Sequence, residues 1–413
     1  MMRRTTPPAA SDPDDPSASP LASHAAHPPR RRRGRRTVAI VLGVVAVLVL
    51  AAGGTAVALL LRVSDGLATN AVSRPGETPK AQKIPNWDGP VNLLIMGSDG
   101  RGGLASGDYG DDVDGDRSDT LMLLHVNAAH TDATLVSIPR DTMLPRPECT
   151  AADGTVHDAT DNAQINSAFD VGPYCTLDTV RAYTGLDIDH FIVVNFDGFI
   201  DITDAIGGVD VCLAEDVDDP DSQLHLAAGS HTIHGQEALA FVRTRYGIGD
   251  RSDLGRIHTQ QTYLSALARK VKSAETLTNP VALFGLADAA GRTLTVDKAL
   301  STPSALVGLA GTLAGVSLDR MVLLQLPVRD YAPDPDRVEP EPDQAEVLFS
   351  ALREDRPVAL TPPDDSAGGA GTADPSPGTS GGTATDAPAG VPAVTLAPET
   401  KGQTADRPTC AGG

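Results

Sequence analysis

The chain has 413 residues, of which 54 are acidic and 33 are basic, so its net charge is −21 with histidine neutral. Aromatic residues are only 3% of the chain, whereas Gly and Pro number 40 and 32. This composition is typical of one folded region flanked by segments that bury too little apolar surface to fold. The acidic balance argues against nucleic acid as a partner, because binding to phosphates requires a basic face.

The N-terminal region combines a basic tail with a long apolar run. Residues 1–36 contain eight Arg and three Asp, and the 25 residues from Thr37 to Leu61 carry no charge. Such a helix exceeds the roughly 30 Å hydrocarbon core of a bilayer, and a cleaved signal peptide has a shorter apolar segment. The sequence therefore predicts a disordered tail followed by a single transmembrane helix at 37–61. The positive-inside rule places the tail in the cytoplasm and residues 62–413 outside the cell membrane.

The remainder of the chain divides into three parts. Residues 62–89 are polar and interrupted by Pro and Gly, which predicts an extracellular stalk. From residue 90, short apolar runs bounded by turn residues predict strands that are buried on both faces of a helix-covered sheet. The predicted strands are 91–97, 120–127, 133–139, 190–196 and 321–328, and the predicted helices are 177–186, 197–208, 235–245, 253–273 and 344–352. The sequence thus predicts one α/β domain at 90–355 and a disordered Pro/Gly/Ala/Thr-rich tail at 356–413.

All four cysteines follow the apolar run, which fits an oxidising compartment. Cys149 and Cys175 flank a polar region and form the favoured disulfide pair. Cys212 lies in a strand-like run and Cys410 in the tail, so these two either pair or stay free. A zinc site is not expected, because the chain has no C-x-x-C spacing.

Asp and Arg residues recur at the ends of the predicted strands and helices. The chain has no H-E-x-x-H motif and no Walker loop. Each Asp and Arg motif alone fits a surface salt bridge, but five motifs at successive element ends favour a shared site. Ligands bind at strand ends in open α/β sheets, Arg offers paired donors to phosphate, and Mg²⁺ is held by carboxylates with phosphate oxygens. The pattern therefore predicts a site for a pyrophosphate with a divalent metal.

Seven motifs occur in order between residues 90 and 355: NLLIMGSDGR, RSDTLML, VSIPRDT, INSAF, GGVDV, ALAFVRTR and DLGRIHTQQ. In this series the chain resembles the LytR-CpsA-Psr family of cell-wall glycopolymer ligases, and its composition is typical of an actinobacterium. The resemblance implies an α/β/α sandwich with a mixed central sheet. It also implies a phosphotransferase that moves a phospho-glycan from a polyprenyl-pyrophosphate carrier to a peptidoglycan sugar hydroxyl. The lipid is expected in an apolar groove that includes Leu264 and Leu267.

The resemblance implies a role for each matching residue. Asp99 and Asp119 match metal-associated aspartates that hold Mg²⁺ (or Mn²⁺), and with Arg140 they are the expected catalytic residues. The positions that match pyrophosphate-binding residues are Arg101, Arg117, Arg140, Arg243, Arg245, Arg256 and Gln260. The chain departs from the family at His258-Thr259, where two basic residues often precede Gln. Since Arg256 and Gln260 are four residues apart on a helix, they can still face one ligand.

Two other functions fit the same residues. A polyprenyl-pyrophosphate-glycan hydrolase would use water in place of the sugar hydroxyl and release free phospho-glycan. A non-catalytic wall-polymer binding protein would hold an anionic polymer without turnover, and it would not need both Asp99 and Asp119.

Overall fold

A computed structural model describes residues 54, 57–74, 87–98, 118–244, 253–361 and 392–412. The predicted cytoplasmic tail and most of the predicted transmembrane helix lie outside these ranges. None of the helices within them combines the length and apolarity needed to cross a bilayer. All elements below belong to the unit Val57–Gly413.

Eight strands form the central sheet. In chain order they are β1 (Ala71–Val72), β2 (Val91–Ser98), β3 (Ser118–Val126), β4 (Ala133–Ile138), β5 (His190–Val194), β6 (Leu294–Asp297), β7 (Met321–Gln325) and β8 (Gly402–Thr404). Their order across the sheet is β1-β6-β5-β2-β3-β4-β7-β8. Strand β2 is antiparallel to β3 and parallel to β5, and β4 is parallel to β7. The sheet is therefore mixed, as expected.

Burial on both faces explains why the predicted strands form where they do. In β2, Leu94 and Met96 belong to one hydrophobic cluster, whereas Leu93 belongs to the cluster on the opposite face. Side chains alternate between the two faces of a strand, so a strand covered on both sides needs a continuous apolar run. The apolar runs at 91–97, 120–127, 133–139, 190–196 and 321–328 all contain strands of the central sheet.

Helices cover both faces of this sheet. They are α1 (57–69), α2 (Ser167–Val171), α3 (Pro173–Thr184), α4 (Phe196–Ala205), α5 (Gly235–Arg243), α6 (Asp253–Lys272), α7 (Ala274–Leu277), α8 (Pro280–Thr293), α9 (Pro303–Gly315) and α10 (Pro342–Arg353). One face packs on Leu177 of α3 and Phe349 of α10. The other packs on Leu67 of α1 and Leu309 of α9. The result is the expected three-layer α/β/α arrangement.

A second, smaller core lies beside the main sheet. Strands Val209–Leu213, Gly229–Ile233 and Cys410–Ala411 form a three-stranded sheet that packs with Phe241 of α5 and Tyr263 of α6. The remaining short strands pair locally: Met143–Arg146, Cys149–Thr150, Val156–His157, Thr160–Gln164, Val217–Asp219, Leu224–Leu226, Val328–Asp330, Val338–Pro340, Val358–Ala359 and Val394–Thr395.

The folded unit begins before residue 90, so the stalk predicted at 62–89 is wrong over 62–74. Helix α1 buries Val63 and Leu67 against the sheet, and β1 pairs in parallel with β6 at its edge. The polar appearance of this stretch reflects a helix with only one narrow buried stripe, since a short amphipathic helix exposes most of its residues.

The disordered tail predicted at 356–413 is also wrong for residues 392–412. Strand β8 pairs antiparallel with β7, and Cys410 lies opposite Cys212 in the smaller sheet. Backbone hydrogen bonds to two sheet edges and a disulfide hold this segment, so it needs little apolar burial and leaves no hydrophobic pattern. The disulfide Cys149–Cys175 is confirmed, and Cys212–Cys410 settles the pairing that the sequence left open.

Candidate active site

The described residues of the predicted site meet at one edge of the central sheet. The parallel strands β2 and β5 end at this edge, β3 begins there, and β4 ends there, because β3 is antiparallel to both of its neighbours. The structure brings together Asp119, Arg140, Arg243, Arg256 and Gln260. Asp99, Arg101, Arg117 and Arg245 lie outside the described residues, so their placement stays a prediction.

Asp119 and Arg140 form an ion pair between β3 and the loop after β4. The Arg140 Nη1 donates to the Asp119 Oδ1 over 2.6 Å, and both side chains are partly exposed. Arg140 also donates through Nε to the Asp141 Oδ2 at 3.4 Å. Asp141 in turn accepts hydrogen bonds from the Arg337 Nη1, at 3.2 Å, and from Gln164. Arg140 is therefore held between two carboxylates, one of which is anchored by two further chain segments.

Three members of this network, Asp141, Arg337 and Gln164, were not among the predicted site residues. Asp141 lies inside the motif VSIPRDT, directly after Arg140, so the motif could have identified it as a residue of the site. Arg337 precedes a short strand almost 200 residues further along the chain, and no sequence pattern connects it with Asp141.

Helix α6 contributes Arg256 and Gln260, both buried. The Arg256 Nη2 donates to the backbone oxygen of Asp119 at 3.3 Å. The Gln260 Nε2 donates to the Thr120 Oγ1 and to the Val242 backbone oxygen, both at 3.2 Å. The spacing of four residues places both side chains on the same face of α6, as predicted, and ties that helix to β3 and α5.

The C-terminal end of α5 supplies Arg243. Its guanidinium lies 4.8 Å from the centroid of the Phe196 ring. The next residue, Thr244, donates through Oγ1 to the buried Asp219 Oδ2 at 2.5 Å. Burial acts to raise the pKa of Asp219, but hydrogen bonds from Thr244 and Ser222 outweigh it and lower that pKa. Asp219, which the sequence did not indicate, is thus an ionised group beside α5.

These polar groups surround the mouth of a cleft of about 620 Å³. The cleft lies between the sheet, α4 and α6, and its interior is apolar. The apolar lining residues are Ile95, Met122, Val194, Phe196, Phe199, Ile202, Leu239, Val242, Leu264 and Leu267. Leu264 and Leu267 were predicted to line a lipid groove, and both do line this cleft.

The wall of the cleft contains one buried polar pair. The hydroxyls of Thr203 and Tyr263 lie 2.7 Å apart, and Thr203 also donates to the Phe199 backbone oxygen at 2.8 Å. Burial raises the pKa of Tyr263, so its phenol is neutral at physiological pH. Five charged side chains line the cleft: Asp119, Arg243 and Arg256 of the predicted site, together with Asp219 and Asp221.

The described residues offer one of the two expected metal ligands. Asp119 presents a partly exposed carboxylate at the cleft mouth, and the described part of the chain contains no cluster of three His, Cys, Asp or Glu residues that could hold a metal ion. Mg²⁺ in phosphate-binding sites usually has one or two protein carboxylates, with waters and phosphate oxygens as its other ligands. The donor set at Asp119 fits such a site.

Comparison with known proteins places the domain in a family. Residues 62–349 match the LytR_cpsA_psr family. The cell wall biosynthesis protein LcpA of Corynebacterium glutamicum is 35% identical over 252 residues, covering 54% of this chain and 48% of LcpA. The polyisoprenyl-teichoic acid–peptidoglycan teichoic acid transferase TagU of Bacillus cereus is 33% identical over 191 residues, covering 46% of this chain and 55% of TagU. The chain thus spans about half the length of the curated relatives it matches.

A solved structure agrees with the observed architecture. The structure of TagT bound to LIIa-WTA matches with a TM-score of 0.50 and 24% identity, over 69% of this chain and 98% of that chain. This likeness confirms the mixed α/β fold.

Proposed function

The chain belongs to the LytR_cpsA_psr family, and on that premise we propose that it moves a phospho-glycan from a polyprenyl-pyrophosphate carrier to a peptidoglycan sugar hydroxyl. The names of two relatives support this proposal. LcpA is described as a cell wall biosynthesis protein, and TagU as a transferase that joins polyisoprenyl-linked teichoic acid to peptidoglycan.

One observation carries the proposal: a cleft with a largely apolar lining also contains the side chains of Asp119, Arg243 and Arg256. A ligand that fits both parts has a hydrocarbon chain joined to an anionic group. Leu264 and Leu267 would contact the chain, and Arg243 and Arg256 would neutralise the pyrophosphate. Arg is suited to this role, since its planar guanidinium offers paired donors to phosphate oxygens.

The proposed reaction is an in-line displacement at phosphorus. The acceptor hydroxyl oxygen attacks the phosphorus that bears the glycan, the bond from that phosphorus to the bridging oxygen breaks, and polyprenyl phosphate leaves with the bond electrons. The hydroxyl proton passes to a carboxylate, for which Asp99 is the candidate. Positioned cations lower the barrier to such a transfer because they are aimed at charge that develops in the transition state.

Asp99 and Asp119 are the proposed ligands of Mg²⁺ (or Mn²⁺). When bound, such a cation neutralises phosphate oxygens and orients the phosphoryl group. Arg140 keeps the Asp119 carboxylate in place through the 2.6 Å ion pair, while Asp141 holds the other side of the Arg140 guanidinium. The geometry therefore supports a role for Arg140 in positioning Asp119 as well as in binding pyrophosphate.

We also propose that the chain is a single-pass protein of the cell membrane with its catalytic domain outside the cell. The two disulfides in the folded unit support an extracellular location for this domain, since such bonds persist in oxidising compartments and are rare in the cytosol. The uncharged run at 37–61 supplies the expected anchor.

The test is a transfer assay with the purified full chain, a polyprenyl-pyrophosphate-linked glycan, Mg²⁺ and peptidoglycan fragments, read by mass spectrometry. We expect glycan joined to peptidoglycan through a phosphodiester, and a loss of about 100-fold or more in Asp119→Ala and Arg140→Ala. Arg329→Ala is the matched control, because Arg329 pairs with Glu339 on a hairpin that does not line the cleft. Free phospho-glycan as the sole product would identify a hydrolase, and bound but unchanged substrate a binding protein.

A further inference from the structure

Exposed apolar side chains are concentrated in two short stretches of the described chain. Of its ten exposed large hydrophobic residues, seven lie within 57–61 and 277–284. Val281 and Phe284 are 77% and 51% exposed. Single exposed hydrophobic residues are ordinary on a protein surface, but a contiguous group of them marks a site of interaction.

The two stretches lie side by side because α1 and α8 run in the same direction. Each helix leads directly into a strand, and these strands, β1 at the edge of the sheet and β6 beside it, pair in parallel with Ala71 opposite Val296. Gly66 and Gly291 are in direct contact where the helices meet. One turn later in α1, the Asn70 Nδ2 donates to the Arg292 backbone oxygen at 2.9 Å.

The parallel direction of the helices places their exposed apolar residues at one end of the helix pair. Phe284 precedes Gly291 by seven residues, or two turns, and so lies on the stripe of α8 that faces α1. Residues 57–61 precede Gly66 by one and a half to two and a half turns, so Val57, Leu60 and Leu61 lie on the sides of α1 that are turned away from its contact with α8. The exposed apolar side chains in the first turns of both helices are here called the α1–α8 surface, defined by Val57, Leu60, Leu61, Val281 and Phe284.

The chain itself indicates what covers this surface. Val57, Leu60 and Leu61 are also the last residues of the uncharged 25-residue run, and Arg62 follows at once. The run predicted to lie in lipid therefore ends inside the folded unit, with no spacer between them. The predicted anchor therefore keeps this surface next to the bilayer at a high effective concentration. A second copy of the chain would instead have to bind from solution.

We propose that the α1–α8 surface is inserted into the outer leaflet of the bilayer beside the end of the anchor. Apolar faces of interfacial helices enter the headgroup and acyl boundary by about 5–10 Å, and insertion of the first turn of α8 to this depth would bury the side chains of Val281 and Phe284. The inference rests on the predicted membrane run and on the contacts of α1 with α8, and it holds whether or not the transfer reaction does. Where the proposed function also holds, the domain is held against the membrane that contains its lipid-linked substrate.

The test uses the full chain in lipid nanodiscs and tryptophan quenching by lipids brominated in the upper acyl chain. Trp87 is the only native tryptophan, so wild type gives the baseline. Phe284→Trp reports on the surface. Val347→Trp is the matched control, because Val347 is 47% exposed on α10, across the sheet from α8. We expect the bromolipids to quench the added signal of Phe284→Trp about threefold more than that of Val347→Trp.

A second pair of variants separates lipid from protein contact. Val281→Asp in the Phe284→Trp background should abolish the excess quenching, since a charged group in the leaflet is costly, while Val347→Asp should leave it unchanged. Equal quenching at both tryptophans would overturn the proposal, as would failure of the chain to enter nanodiscs. A Phe284→Trp signal that is shielded from aqueous acrylamide but insensitive to bromolipid would also overturn it, because protein would then cover the surface.

Discussion

The two disulfides should contribute unequally to stability, because they close loops of very different length. The separation is 198 residues for Cys212–Cys410 and 26 for Cys149–Cys175. In the chain-entropy account, stabilisation rises with the logarithm of loop length, so the longer link contributes about 5.3 kcal/mol and the shorter about 3.5 kcal/mol, a difference of about 1.8 kcal/mol. We therefore expect Cys212→Ala/Cys410→Ala to lower the free energy of unfolding by more than Cys149→Ala/Cys175→Ala does.

Guanidinium-induced unfolding of the full chain, followed by Trp87 fluorescence, measures both losses on the same scale. The alanine pairs are chosen because serine would add hydroxyls at the buried positions 149 and 175, and the two links are compared with the same substitution. Amide hydrogen exchange at Gln403 gives a local measurement, since Gln403 pairs with Leu323 in the segment that the longer link retains. If the shorter link proves equally or more stabilising, and Gln403 exchanges at the wild-type rate without the longer one, loop closure does not govern the stability of this chain.

Two further predictions concern single side chains. Tyr263→Phe should lower the free energy of unfolding by about 1 kcal/mol in denaturant titration, because Thr203 loses one hydroxyl partner but keeps its backbone acceptor. Leu67→Ala should lower the same quantity by about 2–5 kcal/mol, whereas Val281→Ala should leave it unchanged if α1 is core and the start of α8 is surface.

The sequence predicts the central sheet well because its strands are buried on both faces. Short continuous apolar runs such as 91–97 and 133–139 indicate strands that are buried on both faces. The long helix at 253–273 was also correct within a residue. In each of these elements the local pattern and the final packing agree, which is what makes a prediction from one chain possible.

The ends of the folded unit could not be predicted in this way. Helix α1 exposes most of its residues, and its buried stripe is narrow. The segment 392–412 contributes backbone hydrogen bonds and one cysteine to partners up to 198 residues away. Pairing of this kind depends on which sheet edges are open, and that is a property of the assembled fold.

The same distinction applies to the site. Five predicted residues meet at one end of the sheet strands because Asp119 and Arg140 lie near strand ends, while Arg243, Arg256 and Gln260 lie on the helices α5 and α6 beside those ends. Asp219 and Arg337 act through contacts between loops, which no periodicity records. Asp141 is intermediate, since it adjoins Arg140 in the chain but gains its role only through Arg337 and Gln164.

The segment that was least expected to fold supports the helix that carries part of the site. The Gln403 Nε2 donates to the Ser265 Oγ at 2.8 Å in a buried contact, and the Arg269 Nη1 donates to the Ala405 backbone oxygen at 2.8 Å. Both partners lie on α6, within four turns of Arg256 and Gln260. The segment therefore packs against α6, while the cleft mouth restrains the first half of that helix. Because the Cys212–Cys410 link retains this segment, it stabilises the position of α6 as well as the edge of the sheet.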